Sequence, residues 1–217
     1  MTGTSHPVRP ERERLATPAS LVTVVRTVAA VVCAGIAIEQ QSLTWLIVSL
    51  AVYWVGDILD GALARLLDDE TRIGAVLDIC CDRLCAAVFY LGLAWLQPDL
   101  IWPILVYLFT FLVLDTVLSL AFLAWPCLSP NYFYEVDPTI WRYNWSRPAK
   151  AVNSAIFAVL LLVTGWVWLG LAIAAALLVL KSWSMRRLMR IGLPVPAGPT
   201  QAPVGDRSVL GAPAPRD

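Results

Sequence analysis

Apolar side chains come in runs of roughly 20 residues separated by short polar breaks, all the way from Leu21 to Leu188. That spacing leaves the chain few structures to adopt. About 20 residues at 1.5 Å per residue cross the ~30 Å hydrocarbon core of a bilayer, and a helix keeps every backbone polar group bonded within itself. The runs cover residues 21–38, 43–67, 73–96, 100–125, 149–166 and 170–188. With 59% hydrophobic and 15% charged residues in 217, the chain carries more apolar surface than a soluble domain of this size could bury. The expected fold is all-α: an integral membrane bundle of six transmembrane helices, forming one domain over residues 18–191. The last two spans share one stretch, Ala149 to Leu180, that would reach about 48 Å as a single helix. A turn is therefore expected between Gly165 and Gly170, with Trp166 and Trp168 at a membrane interface.

Residues 1–17 and 192–217 lack apolar periodicity and are expected to be disordered tails. Arg9, Arg12, Arg14, Arg65, Arg72, Arg142, Arg147, Lys150, Arg186, Arg187 and Arg190 all fall on one side of the six-span layout, while the alternate connections carry no Lys or Arg. The positive-inside rule then places both termini in the cytoplasm, here of a bacterial cytoplasmic membrane.

Charge and cysteine usage narrow the chemistry. A formal net charge of zero gives no field for nucleic acid. Five cysteines without a C-x-x-C pair argue against a disulfide framework or zinc site. The only histidine, His6, sits in a tail, which excludes triad chemistry in the spans.

Four carboxylates are gathered at the facing ends of two neighbouring spans. Asp57 and Asp60 close the second span; Asp78 and Asp82 open the third. Spacings of three and four put each pair on one helix face. Counted from the acidic connection at 68–71, Asp57 and Asp82 lie at matched depths of about 15 Å, with Asp60 and Asp78 matched nearer the surface. Ionisable groups at such depth are functional by default. Four carboxylates in one small volume need a cation, and oxygen-only donors select a hard one, Mg²⁺ or Mn²⁺, at a one- or two-metal site. Such a site clamps phosphate oxygens. Gly61 and Gly74 leave room for a ligand, and Arg65 offers a planar fork to a phosphate.

The string from Asp57 to Asp82, D-x2-D-G-x2-A-R-x8-G-x3-D-x3-D, resembles without departure the signature of the CDP-alcohol phosphatidyltransferase family. The resemblance implies that Asp57, Asp60 and Asp78 bind two divalent ions with help from Asp82, and that Asp82 is the general base. It also implies that Gly61, Ala64, Arg65 and Gly74 hold the cytidine diphosphate portion of the donor. The reaction implied is attack by an alcohol on CDP-diacylglycerol with release of CMP, in a homodimer. Acceptors such as glycerol 3-phosphate, inositol phosphate, serine or phosphatidylglycerol stay open, the last giving a cardiolipin-synthase type. Lys150 sits in a stretch only partly similar to the basic element of the glycerophosphate-using members. Arg26, about five residues into span 1, is expected either to reach a phosphate or to snorkel to the interface. Asp115 in span 4 is expected to face the acceptor pocket as a hydroxyl partner. The rival reading is a divalent-cation transporter, disfavoured because the motif carboxylates occupy one half of the bilayer. The aromatic connection from Tyr132 to Trp145 is read as an interfacial loop.

Overall fold

The computed structural model describes residues 14–194. The expected tails fall outside the described residues except at 14–17 and 192–194. The described residues contain no strand and fold into six helices long and apolar enough to cross a membrane. These are α1 (Pro18–Glu39), α2 (Leu43–Leu66), α3 (Arg72–Leu96), α4 (Pro98–Ala124), α6 (Arg147–Thr164) and α7 (Val167–Ile191). A short amphipathic helix, α5 (Pro138–Asn144), lies between the fourth and fifth.

Local chemistry sets the ends. Thr17 caps α1, accepting from the Ser20 N–H at 3.1 Å, and Thr71 caps α3, accepting from the Gly74 N–H at 3.0 Å. Gly165 ends α6 in the left-handed conformation (φ 59°), Trp166 is extended, and α7 starts at Val167. The expected turn is thus made by two residues, and Trp166 and Trp168 remain 70% and 81% exposed.

On α1 the small residues Ala30, Ala34 and Ala37 are fully buried while Val24, Val28 and Val32 face outward. Small side chains let helix backbones approach closely where hydrophobicity cannot drive association. Ser49 of α2 exploits that approach and donates to the Ala30 carbonyl at 2.7 Å. Phe89, Leu93, Ile104, Phe157 and Leu161 fill the centre, with Tyr107 stacked on Phe157 at 4.3 Å. A second apolar cluster, including Leu118, Phe122, Phe133, Ile140 and Trp145, packs the connection between α4 and α5 onto the bundle end.

Two spans depart from a uniform α-helix. α4 passes through a π-helical segment at Thr110–Asp115, and α6 through one at Ala151–Ile156. In the first, the Thr116 hydroxyl bonds the Phe111 carbonyl, five residues back, at 3.3 Å. Such wide turns cluster at functional sites because they rotate the helix face that follows.

Candidate active site

Asp57 and Asp60 point into the bundle because the two residues between them do not: Ile58 and Leu59 are 67% and 56% exposed. Against them α3 sets Asp78 and Asp82. Carboxylate oxygens of Asp57, Asp60 and Asp78 lie within 4.8 Å of one another. Asp82 joins the trio through a shared cation, Arg26 of α1.

Arg26 is 4% exposed. Its Nε donates to Asp60 Oδ2 at 2.7 Å, and one terminal nitrogen donates to Asp78 Oδ1 at 2.6 Å and to Asp82 Oδ1 at 2.9 Å. The same nitrogen stands 3.6 Å from Asp57 Oδ1. Thr23 adds a hydroxyl donor to Asp60 at 2.8 Å. Arg26 therefore does not snorkel to the interface: it is turned inward onto the carboxylates as their counter-ion and lines neither of the two cavities that meet at them. Four acids at bilayer depth demand a cation, and α1 supplies one.

Gly56 makes that possible. A Cβ there would stand 2.5 Å from both Cβ and Cδ of Arg26, so the residue before the first aspartate has no side chain and the arginine stem fills its place. Gly56→Ala is therefore expected to cost about 1–3 kcal/mol of stability by overpacking. Gly35→Ala, with nothing within 4 Å, should be silent, and paired thermal unfolding curves check the contrast.

Two cavities meet at the aspartates. The first, about 100 Å³, is lined by Asp60, Gly61, Ala64, Arg65, Gly74 and Asp78 together with Ser20 and Thr23 of α1. Residues far apart in the motif thus share one wall. The second, about 180 Å³, is lined by Asp57, Asp78, Asp82, Arg83, Asp115 and Lys150, and by Asn144, Asn153 and Lys181. Asp78 belongs to both. Room at Gly74 is partly taken by Thr71, whose hydroxyl a Cβ would meet at 2.7 Å.

Asp115 lies in the second cavity wall, and its oxygens are already engaged. Oδ2 accepts from Arg83 at 2.6 Å and Oδ1 pairs with Lys181 at 2.5 Å. Arg83 also bonds Thr116 and Ser119, and its guanidinium lies 3.8 Å over the Phe111 ring. Lys181 donates further to Asn144 Oδ1 at 2.8 Å. Sequence reasoning missed Arg83 and Lys181. Their signal was the one applied to the aspartates: each is an ionisable residue well inside an apolar span.

The connection after α4 is folded rather than a plain interfacial loop. Lys150 donates to Asn131 at 2.7 Å, and Tyr132 donates to Glu70 at 2.5 Å. Burial, together with Glu70, pushes the Tyr132 phenol up to about 12, so it remains a donor at neutral pH. Arg187 pairs with Asp137 at 2.9 Å and fastens α5 to α7. Ser129 and Asn131 line both cavities.

The sequence profile of the family described as CDP-alcohol phosphatidyltransferase matches residues 16–183. The chain belongs to that family. Among curated relatives, the phosphatidylinositol phosphate synthase of Mycolicibacterium smegmatis is 38% identical over 91 residues, 42% of this chain and 41% of the relative. That of Mycobacteroides abscessus is 39% identical over 74 residues, 34% of each chain. That of Mycobacterium tuberculosis strain H37Rv is 51% identical over 39 residues, 18% of each. The matched stretches thus span about two fifths or less of these relatives' lengths. No solved structure matches the chain.

For a family built on CDP-alcohol chemistry, the donor set is the test of whether a divalent ion fits. Three converging carboxylates, with a fourth adjacent and neither His nor Cys among them, suit a hard cation.

Proposed function

We propose that the chain transfers the phosphatidyl group of CDP-diacylglycerol to the hydroxyl of an alcohol acceptor, releasing CMP, at the cytoplasmic face of a bacterial membrane. The observation that carries this reading is the placement of the motif aspartates on the boundary between two cavities, one lined by the motif's glycines and Arg65, the other by cations outside the motif. Two substrates can then approach one cluster from opposite sides.

In this reading Gly61, Ala64, Arg65 and Gly74 bind the cytidine diphosphate. Asp57, Asp60, Asp78 and Asp82 hold Mg²⁺ or Mn²⁺, and four carboxylates against the single charge of Arg26 leave room for two ions. Bound there, a divalent cation supplies positive charge to the phosphate oxygens as the bond to CMP breaks. Asp82 lines the second cavity and not the first, beside the incoming alcohol. It takes the hydroxyl proton as the acceptor oxygen bonds to phosphorus, and the bonding pair leaves with CMP. Arg26 holds Asp82 in place for that step.

Because the mycobacterial relatives are named for phosphatidylinositol phosphate, inositol phosphate heads the list of acceptors. Arginine and lysine distribution puts both termini on the cytoplasmic side, and a homodimer, implied by the family resemblance, completes the reading. Purified protein given labelled CDP-diacylglycerol and a panel of alcohols should release CMP only with Mg²⁺ or Mn²⁺ present. Chelation should stop release. Release that continues in excess chelator would refute the metal, and metal flux into proteoliposomes without any CMP would favour a transporter.

A further inference from the structure

In phosphatidyl transfer the phosphate that changes hands has to lie where the two cavities meet, because the bond to CMP breaks on one side of phosphorus as the bond to the acceptor forms on the other. Among the described residues, Ala75, Asp78, Ser129 and Asn131 line both cavities. Ala75 has no polar side chain, and Oδ1 of Asp78 accepts from Arg26 at 2.6 Å. The Asn131 side-chain oxygen accepts from Lys150 at 2.7 Å, and its main-chain oxygen from the Trp141 indole at 2.8 Å. Ser129 differs. Its Oγ is buried and has no hydrogen-bond partner among the described residues.

Local structure would have given that hydroxyl an occupation. Ser129 precedes the short 3-10 helix Pro130–Glu135 with extended backbone, φ −156° and ψ 169°. A serine so placed ordinarily turns its oxygen onto a backbone N–H of the first turn, as Thr17, Ser42 and Ser146 do at the starts of α1, α2 and α6. Ser129 makes no such bond. Buried hydroxyls are nearly always bonded, so this one suits a partner brought by a ligand. The backbone that presents it is fastened to several elements. The Ser129 carbonyl accepts from the Tyr132 N–H at 3.1 Å, and the Tyr132 hydroxyl reaches Glu70, between α2 and α3, at 2.5 Å. Lys150 of α6 and Trp141 of α5 hold Asn131. Phe133, fully buried, packs edge-on against Trp125 and Trp145.

We propose that Ser129 is a catalytic residue: its hydroxyl donates a hydrogen bond to a non-bridging oxygen of the phosphate being transferred, at the cavity boundary it shares with Asp78. The inference rests on the phosphatidyl-transfer reading and adds to it a residue from the connection between α4 and α5, well outside the aspartate motif. Ionised carboxylates only accept hydrogen bonds, so they offer the phosphate oxygens no donor. A hydroxyl fixed in advance does, and it needs no reorganisation as charge shifts over those oxygens during in-line displacement. The serine proton is not transferred. The acceptor oxygen bonds to phosphorus, its proton goes to Asp82, the bonding pair leaves with CMP, and Ser129 ends the step as it began.

The test uses the full chain purified in detergent, with labelled CDP-diacylglycerol and a panel of inositol phosphate, glycerol 3-phosphate, serine and phosphatidylglycerol. Rates are compared on the member that releases CMP fastest, and melting temperatures are measured without substrate. Ser129→Ala should lower kcat by about 100-fold, the loss found when one preorganised donor to a developing charge is removed. KM for donor and acceptor should each move less than about 3-fold, because the hydrogen bond strengthens in the transition state. Ser129→Thr keeps a hydroxyl and should recover most of the rate. Since Ser129→Ala breaks no bond in the free protein, its melting temperature should equal or exceed that of wild type. A Ser129→Ala enzyme with wild-type kcat overturns the proposal while the transfer reading stands. A Ser129→Ala protein that melts well below wild type also overturns it, because the hydroxyl then holds the fold and not the phosphate. If wild type releases no CMP with any member of the panel, the transfer reading falls and takes the role of Ser129 with it.

Discussion

Asp82→Asn is expected to lower the rate of CMP release by about 10³-fold, within the range for loss of a general base, while CDP-diacylglycerol still binds. Asparagine keeps the shape of the side chain and an oxygen for the Arg26 donor at 2.9 Å, so the cluster should hold together. What it loses is the capacity to take a proton. Asp82 is the member outside the tight trio of Asp57, Asp60 and Asp78, and it opens onto the second cavity alone. Asp78, which lines both cavities, should behave differently: Asp78→Asn is expected to lose metal dependence and turnover together. Single-turnover CMP release beside a donor-binding measurement separates the two variants. An Asp82→Asn enzyme with wild-type turnover removes the proposed base.

Arg26→Gln should have the largest effect on stability. The guanidinium is nearly fully buried and contacts all four aspartates between 2.6 and 3.6 Å, so its removal leaves the four acids without the cation that pairs with them directly. Breaking a buried ion pair by removing one partner costs about 3–5 kcal/mol, because the other charge is left uncompensated. Metal-free Arg26→Gln protein should therefore melt far below wild type. Added Mg²⁺ or Mn²⁺ should restore much of the difference, since ligand binding to the folded state stabilises it by mass action. Equal melting temperatures for the two metal-free proteins would show that Arg26 is not the counter-ion its geometry indicates.

Much of the architecture was legible before any coordinates. All six spans were placed within three residues of their observed ends, because a bilayer imposes a length on every apolar run and the breaks are polar. The acidic face of α2 followed from a spacing of three, and Ile58 and Leu59 between the acids point outward as that spacing requires. The Gly165 turn followed from length alone. Other features were not legible. Periodicity assumes 3.6 residues per turn throughout, and the π-helical segments in α4 and α6 break that assumption just where Asp115 and Asn153 enter the second cavity. Arg26 was open between reaching a phosphate and snorkelling, because nothing in α1 says that four acids from α2 and α3 pack against it.

The sequence by itself determined the solvent, the number of spans and the acidic motif, all of which depend on residues near one another along the chain. Pairing of charges was decided only by the tertiary structure. Arg26 meets Asp60, and Lys181 meets Asp115, across 34 and 66 residues of chain, and which cation finds which acid depends on how each helix is rotated in the bundle. That rotation is set by packing of small residues such as Ala30 and Gly56, a property of helix pairs rather than of any single segment.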